Sequence, residues 1–327
     1  MKLHENKRLF RQAIQFTSDQ MGILPIYIEK DYWVTFALYR IFNDEIGGET
    51  VFKGGTALSK CYSMIERFSE DIDLVVFRRE EETSNQLSKK IKTIGKVVDG
   101  ALPEVQIDGL TQKRGMNRKT AHFYSKEFKG DYGQVRDVII IEATWLGYFE
   151  PFTTKSIISL VGQMMLNNGQ DNIAKDNGLM PFDVRVLDPK RTLCEKIMSL
   201  VRFSYDDAPI VALRNKIRHC YDLHQLLKDE AFSNFLDSDE FDSLLLRVGH
   251  DDVQSFKNNN TWLANHPKDA LMFKDLDNVW KELRSTYTGD FKTMVYGILP
   301  EGNDVFDTLH RIKSRLASIK WDVQIGN

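Results

Sequence analysis

The sequence has little cysteine. Its 327 residues include three, Cys61, Cys194 and Cys220, and none of them belongs to a CxxC pair. An odd number of widely spaced cysteines argues against a complete disulfide framework. The cysteine content therefore predicts a protein of a reducing compartment.

Long apolar runs are also absent. No window approaches ~18 uninterrupted apolar residues, the length that a membrane-spanning helix needs. The first ten residues carry Lys2, Glu5, Lys7 and Arg8 where a signal peptide would have an apolar centre. We therefore expect a soluble cytoplasmic protein that has no membrane partner.

An excess of positive charge is missing as well. Lysine and arginine total 44 against 47 aspartates and glutamates, which gives a formal net charge of -3. A protein that binds long duplex DNA without sequence preference normally has an excess of basic residues. Any contact of this chain with nucleic acid must therefore come from a local basic patch. Hydrophobic residues make up 42% of the chain and charged residues 28%, which excludes a wholly disordered or fibrous protein.

Periodicity in the chain indicates a mixed first part and a helical second part. Apolar residues recur at helical spacing through residues 8–46, with a break at Pro25, and a further helical pattern begins near Thr192. Strand patterns lie between these helices, at Val51–Lys53, Ile72–Val76, Thr120–Phe128, Asp137–Trp145 and Phe182–Leu187. Every long segment after about residue 207 is helical in pattern. The sequence therefore predicts an α+β fold class, with one domain over residues 1–200 and a helical C-terminal domain over residues 201–327.

The most informative stretch is KGGTALSK, residues 53–60, where a strand turns into a helix. Two glycines at such a turn let backbone N–H groups approach a phosphate, because no Cβ stands in the way. A threonine there can cap the helix or bind a phosphate oxygen. The stretch supplies the candidate nucleotide-binding residues Lys53, Gly54, Gly55, Thr56 and Lys60.

A pair of acids follows in RFSEDIDL, residues 67–74. Asp71 and Asp73 are two positions apart on a strand, so both carboxylates point to one face. Holding them together is unfavourable unless a cation lies between them, and carboxylate oxygens suit Mg²⁺ or Mn²⁺. A phosphate cradle beside such a pair is typical of phosphoryl or nucleotidyl transfer. The alternative is a capped helix followed by an edge strand with solvent-facing acids.

These two motifs resemble the signature of the AbiEii/AbiGii toxin family, the MenT-like nucleotidyltransferase toxins of type IV toxin–antitoxin systems. The element Glu29-Lys30-Asp31-Tyr32 is similar to the Glu-Lys-Asp element of that family, and the resemblance extends through Glu195-Lys196 and Tyr221-Asp222-Leu223. It implies a mixed sheet of the DNA-polymerase-β nucleotidyltransferase type with flanking helices. It also implies an enzyme that uses a nucleoside triphosphate.

The resemblance implies a third carboxylate on a neighbouring strand. Glu142 shares a strand face with Val138 and Ile140 and is the only acid inside that apolar run, whereas Asp137 stands at the start of the strand, where a solvated acid is ordinary. We consider two roles for Glu142: a third metal ligand or general base, and a structural salt bridge. With the first role, the metal ligands and catalytic carboxylates are Asp71, Asp73 and Glu142.

Two residues of the second half complete the candidate site. Lys196 lies beside a buried helical stripe, where the resemblance assigns it to the triphosphate and to the catalytic set, and the alternative is a pair with a nearby acid. Asp222 falls in the last family motif and is a nucleotide-binding candidate. Its alternative is a row of ion pairs with Arg214 and Arg218 on one helix face.

A basic hairpin is a local cationic patch that the sequence suggests, and Lys89, Lys90, Lys92 and Lys96 form a similar but less focused group. Lys113-Arg114 and Arg118-Lys119 flank a turn at Gly115-Met116-Asn117. Two interpretations remain open: a solvated turn, and a basic tongue that touches an RNA backbone.

The resemblance leads to a first functional hypothesis, a Mg²⁺-dependent nucleotidyltransferase toxin of a toxin–antitoxin or phage-defence system. It would transfer a nucleotide from NTP to an RNA acceptor, the 3′ end of tRNA, and a winged-helix antitoxin similar to AbiEi would neutralise it. One alternative is a regulatory module that binds GTP or ATP without transfer. The other is a metal-dependent RNA nuclease, which uses the same carboxylates but needs no triphosphate cradle.

Overall fold

A computed structural model describes residues 1–69, 71–113, 115–130, 132 and 135–325. It divides the chain into two compact units. The first consists of Met1–Ser63, Phe68–Trp145 and Phe152–Leu187, and the second of Met64–Arg67, Leu146–Pro151 and the chain from Asp188 onward. The domain division at residue 200 stays a prediction, because compactness alone does not show that a segment folds independently.

The first unit contains all the strands that the structure describes, together with six α-helices. Its helices are α1 Lys7–Met21, α2 Pro25–Phe42, α3 Gly54–Tyr62, α4 Ser84–Asp99, α5 Leu160–Asn167 and α6 Asp171–Asp176. Its strands are β1 Thr50–Lys53, β2 Asp71–Val76, β3 Glu104–Val105, β4 Gln112–Lys113, β5 Asn117–His122, β6 Ile139–Thr144, β7 Phe152–Ile157 and β8 Phe182–Leu187.

The strands form one mixed sheet in the order β3-β5-β6-β2-β1-β8-β7, with β4 paired to β5. The pairs β2–β6 and β1–β8 are parallel, and the remaining pairs are antiparallel. Residues of β2 and β6 that face one side, such as Ile72, Leu74 and Ile141, are fully buried. Helix α4 covers that side, since Gly95 packs near the Arg118 side chain of β5. The predicted mixed sheet with flanking helices is confirmed.

Two of the longer strands, β5 and β7, differ from the sequence prediction, and the two-residue strands β3 and β4 were not predicted. The strand predicted at Thr120–Phe128 begins and ends earlier, as β5 at Asn117–His122. It does not extend to Phe128, because the backbone N–H groups of Glu127 and Phe128 donate to the Glu29 carboxylate instead of to a neighbouring strand. Strand β7 was not expected, because only its last residue, Ile157, is buried and no apolar alternation marks it.

The second unit is helical in the part of the chain that the structure describes. Its helices are α7 Pro189–Phe203, α8 Pro209–Arg214, α9 Ile217–Leu227, α10 Glu230–Leu236, α11 Asp239–Ser255, α12 Leu271–Lys274, α13 Leu276–Thr288 and α14 Gly302–Ala317. Both α7 and α8 begin with a proline at the first turn, where its missing N–H is not needed. Among the described residues, no helix is long and apolar enough to cross a membrane.

Candidate active site

A row of four charged residues crosses the sheet of the first unit. Lys53, Asp73, Glu142 and Lys119 are register partners on β1, β2, β6 and β5. Partners in a pleated sheet point to the same face, and Asp71 lies on that face one pleat along β2. As the sequence predicts, the two aspartates share a face, and Glu142 lies beside Asp73. We call these three acids the carboxylate row.

Gly54 allows Asp73 to lie against the start of α3. The residue has a φ of +79°, in the left-handed region that glycine tolerates best. A Cβ at this position would overlap the carboxylate oxygen Oδ2 of Asp73 and lie 3.0 Å from its Cγ. The space that the missing Cβ leaves is therefore filled by an acidic side chain beside a helix N-terminus, where negative charge is favoured.

Gly54→Ala is expected to damage this contact and to reduce activity with it. The change forces a left-handed backbone on alanine, which costs about 1–2 kcal/mol, and displaces the Asp73 carboxylate. The melting temperature should fall, and so should the rate of the nucleotide transfer that the sequence resemblance implies. Gly48→Ala is the matched control, because Gly48 has open space around its Cβ position and no positive φ. Equal effects of the two changes would contradict this role of Gly54.

Thr56 and Lys60 anchor α3 in this structure. The Thr56 hydroxyl donates to the backbone carbonyl of Asp71 at 2.5 Å, and the Lys60 ammonium lies 2.5 Å from Oδ1 of Asp31. The other Asp31 oxygen accepts from the backbone N–H of Leu160 at 2.8 Å. These bonds fix the helix that begins at Gly54. Nucleotide binding by Thr56 and Lys60 stays a prediction.

The Glu-Lys-Asp element also has an anchoring role. Glu29 is completely buried in α2, and its carboxylate accepts from the backbone N–H groups of Glu127 and Phe128 at 2.7 and 3.1 Å. Lys30 donates to the carbonyls of Val138, at 3.0 Å, and Arg136. The element thus holds the segment that leads into β6. Three consecutive charges within a buried apolar helix are the sequence signal for such an anchor.

The ionised form of Asp73 is unfavourable within the carboxylate row. Burial, together with the nearby carboxylates of Asp71 and Glu142, raises the pKa of Asp73 to about 7, although Lys53 and Lys119 oppose the shift. An acid whose charge is this unfavourable near neutral pH is the kind of group that functional sites contain.

Lys119 offsets part of the negative charge of the carboxylate row. Its Nζ lies 3.1 Å from Oε2 of Glu142, and the Asn117 amide donates to Oε1 at 3.1 Å. Burial lowers the pKa of Lys119, but the charges of Glu142 and Asp71 raise it by more than burial lowers it, so the net shift is upward. The salt bridge that we considered for Glu142 is therefore present. Its role as a metal ligand or general base stays a prediction.

The described residues include no ready-made cluster of three or more His, Cys, Asp or Glu side chains that could hold a metal ion. The donor set nevertheless suits a hard divalent cation, because the carboxylates of Asp71 and Asp73 share one face of the sheet and that of Asp73 lies against Gly54. Lys119 supplies one competing positive charge at Glu142. The residues present therefore fit a divalent cation held by the two aspartates.

The second unit contains a buried cluster of three charged residues. Asp222 accepts from Arg67 through two bonds, of 2.6 Å to Nε and 2.7 Å to Nη2, and its Oδ2 lies 2.6 Å from Nζ of Lys196. Asp222 is 0% exposed, Arg67 2% and Lys196 5%. Burial raises the pKa of Asp222, but the two cations outweigh it and hold the value at about 2. Burial lowers the pKa of Lys196, while Asp222 opposes that shift.

This cluster changes two expectations. The predicted ion-pair row of Asp222 with Arg214 is wrong, because α8 ends at Arg214 and a new helix begins at Ile217, and Arg214 pairs with Glu282 at 2.8 Å. Lys196 forms the acid pair that we considered as its alternative role, and its contact with a triphosphate stays a prediction. Glu70 and Arg114, which belong to the sequence motifs, lie outside the described residues.

A mixed sheet with paired acids on a strand after a Gly-Gly helix start is the arrangement of a nucleotidyltransferase. The chain is similar in fold to MenT4, a nucleotidyltransferase toxin from Mycobacterium tuberculosis H37Rv, with a TM-score of 0.55, 16% identity, and 94% of this chain and 90% of that chain covered. The profile described as "Nucleotidyl transferase AbiEii toxin, Type IV TA system" matches residues 37–311. The protein therefore belongs to the AbiEii family of nucleotidyltransferase toxins. No functionally curated protein sequence matches the chain.

The predicted family, fold class and enzyme class are confirmed by these matches. Membership in a type IV toxin–antitoxin family implies a nucleoside triphosphate substrate and an antitoxin. The match covers both the carboxylate row and the Arg67–Asp222–Lys196 cluster, although Glu29, Lys30 and Asp31 precede it.

Proposed function

We propose that the protein transfers a nucleotide from NTP to the 3′ end of an RNA acceptor, tRNA, in a reaction that requires Mg²⁺ or Mn²⁺. The observation that carries the proposal is the carboxylate row beside Gly54 at the start of α3. It sets a helix N-terminus, which favours anions such as phosphate, beside acids whose charge a cation would neutralise.

Asp71 and Asp73 would hold the divalent cation, and Glu142 would complete the site or take a proton. When bound, the cation supplies Lewis-acid stabilisation of charge on the phosphates. The aspartates are well suited to bind it, because a cation offsets the burial and the carboxylate repulsion that together raise the pKa of Asp73.

The other residues of the chain position the reactants. Gly54 and Gly55 expose backbone N–H groups at the start of α3, and Lys53 precedes them with a positive charge. The acceptor hydroxyl oxygen forms a bond to the α-phosphorus, the bond to the bridging oxygen of the β-phosphate breaks, and pyrophosphate leaves. The proton of the hydroxyl passes to a carboxylate of the row. Lys196 and Asp222 of the second unit are the further nucleotide-binding residues that we propose, with Asp222 orienting the lysine.

In the cell, modification of tRNA would block translation, which accounts for toxicity. We propose that the protein acts in the cytoplasm as the toxin of a toxin–antitoxin or phage-defence system and that a winged-helix antitoxin similar to AbiEi neutralises it. Membership in a type IV toxin family supports this role.

The test is incubation of the purified protein with total tRNA, Mg²⁺ and each α-³²P-labelled NTP in turn. Label should enter RNA with the wild type and not with Asp71→Asn/Asp73→Asn. The matched control is Asp171→Asn/Asp176→Asn, which removes two exposed acids of α6 in the same unit. It should label RNA as the wild type does.

Two results would overturn the proposal. Tight NTP binding without label in RNA would favour a nucleotide-binding module. Shortened RNA that depends on Asp71 and Asp73 would favour a nuclease.

A further inference from the structure

A depression of about 820 Å³ lies in the first unit, beside the start of β6. Its floor is apolar, because Ile107, Leu110 and Val138 line it, and all three belong to the small core around Ala121 and Ile140. The aromatic rings of Phe128 and Tyr132 are also part of its lining, and both residues are partly exposed. The transfer reaction proposed above gives these residues no role.

The depression shares a sheet face with the carboxylate row. Val138 and Ile140 pack in one cluster, and side chains at alternate positions of a strand point to the same side, so Val138, Ile140 and Glu142 follow one another on this face. Four residues of strand separate Val138 from Glu142, which corresponds to about 13 Å. Ile140, between them, is fully buried with Val105, Ile107 and Leu110 packed against its cluster, so a chain that lies in the depression would pass over these side chains to reach the carboxylate row.

Among the described residues that line the depression, positive charges outnumber negative ones by one. They are Lys126, Lys129 and Arg136 against Asp108 and Asp137, in a chain whose net charge is -3. Lys129 is exposed. This is the kind of local cationic patch that an overall acidic protein needs for contact with a nucleic acid.

Lys126 is held in place on this rim. Its ammonium lies 2.5 Å from Oδ2 of Asp137 and within 5.0 Å, 5.7 Å and 6.0 Å of the ring centres of Phe123, Tyr124 and Tyr132. Asp137, the weaker candidate for a third metal ligand, thus orients a cation at the depression. Cations fixed next to aromatic rings over an apolar floor combine the two elements that bind single-stranded nucleic acid, phosphate contacts and base stacking.

We propose that this depression binds the unpaired 3′ end of the RNA acceptor. The inference rests on the proposed function, which makes RNA the acceptor. Bases stack against Phe128 and Tyr132 over the apolar floor, while Lys129 and Lys126 contact the phosphates. An acidic protein segment fits less well, because carboxylates alone would leave the aromatic walls and the apolar floor without a partner.

The test measures RNA binding without metal or NTP. The probe is a fluorescein-labelled RNA hairpin with a four-nucleotide 3′ overhang, and its binding is followed by fluorescence anisotropy at several salt concentrations. Lys129→Glu should weaken binding by about five- to tenfold and make the salt dependence shallower by about 0.7 for each phosphate that the variant no longer neutralises. Phe128→Leu keeps an apolar side chain, removes the ring, and should weaken binding by about fivefold.

Lys175→Glu is the matched control, an identical change at an exposed position of α6 that does not line the depression. It should bind as the wild type does. Circular dichroism of all variants checks that the fold is retained.

Equal binding by Lys129→Glu and Lys175→Glu would overturn the inference, and so would equal affinity for a blunt hairpin. Binding of a DNA overhang in place of RNA would overturn the RNA assignment. If the overhang binds as expected but no label enters tRNA, the proposed function fails and the binding site stands. If label enters tRNA and both Lys129→Glu and Phe128→Leu bind the overhang as the wild type does, the proposed function stands and the binding site fails.

Discussion

Replacing Asp73 by asparagine is expected to raise the melting temperature of the metal-free protein and to abolish nucleotide transfer. Burial and the charges of Asp71 and Glu142 make the ionised form of Asp73 unfavourable, so a neutral amide of the same shape removes repulsion. Gains from removing such strain are about 0.5–2 kcal/mol, or a rise of a few degrees. The same change removes a ligand of the proposed cation and should slow transfer at least about a hundredfold.

Lys119→Met makes the opposite change, because it removes a positive charge that faces the carboxylate row. It removes the positive charge 3.1 Å from Glu142 and should lower the melting temperature without added metal. Mg²⁺ at millimolar concentration should stabilise the wild type and Lys119→Met, but should have little effect on Asp73→Asn. Thermal denaturation with and without Mg²⁺ measures all three proteins. A lower melting temperature for metal-free Asp73→Asn would show that the row is not a site of repulsion.

Local patterns were enough to predict the central part of the fold. The turn from β1 into α3 was recognisable from two glycines after a strand, and β2 from the alternation around Asp71 and Asp73. The common face of these aspartates follows from strand geometry alone. Glu142 was identifiable because an acid within a β-branched run is rare, and its position beside Asp73 needs only the pairing of β2 with β6.

Partners from distant parts of the chain were not predictable in this way. Arg67 and Asp222 are 155 residues apart, and no periodicity connects them. Lys119 meets Glu142 only because β5 and β6 pair in one particular register, which the hairpin sequence does not determine by itself. The anchoring roles of Glu29, Lys30 and Asp31 likewise depend on segments about 100 residues away.

The buried cluster of the second unit leads to the other large expected effect, a severe loss of stability in Asp222→Asn. The change leaves Arg67 and Lys196 buried without the acid that both contact. Removing one partner of a buried ion pair typically costs about 3–5 kcal/mol, because the remaining charge is uncompensated. Urea denaturation followed by far-UV circular dichroism should show the loss in the free energy of unfolding.

Lys196→Met is the comparison that separates charge compensation from a general packing defect. It keeps the two bonds between Arg67 and Asp222 and removes only the third member, so its loss should be smaller, within about 0.5–3 kcal/mol. Acid unfolding gives a second readout. The depressed pKa of Asp222 contributes stability that is complete above the ordinary carboxyl value of about 4 and is lost as the pH falls toward 2. The wild type and Lys196→Met should show this acid-dependent loss, whereas Asp222→Asn should show less of it. Equal losses of stability in both variants, with the same acid profile, would mean that Asp222 does not compensate the buried cations.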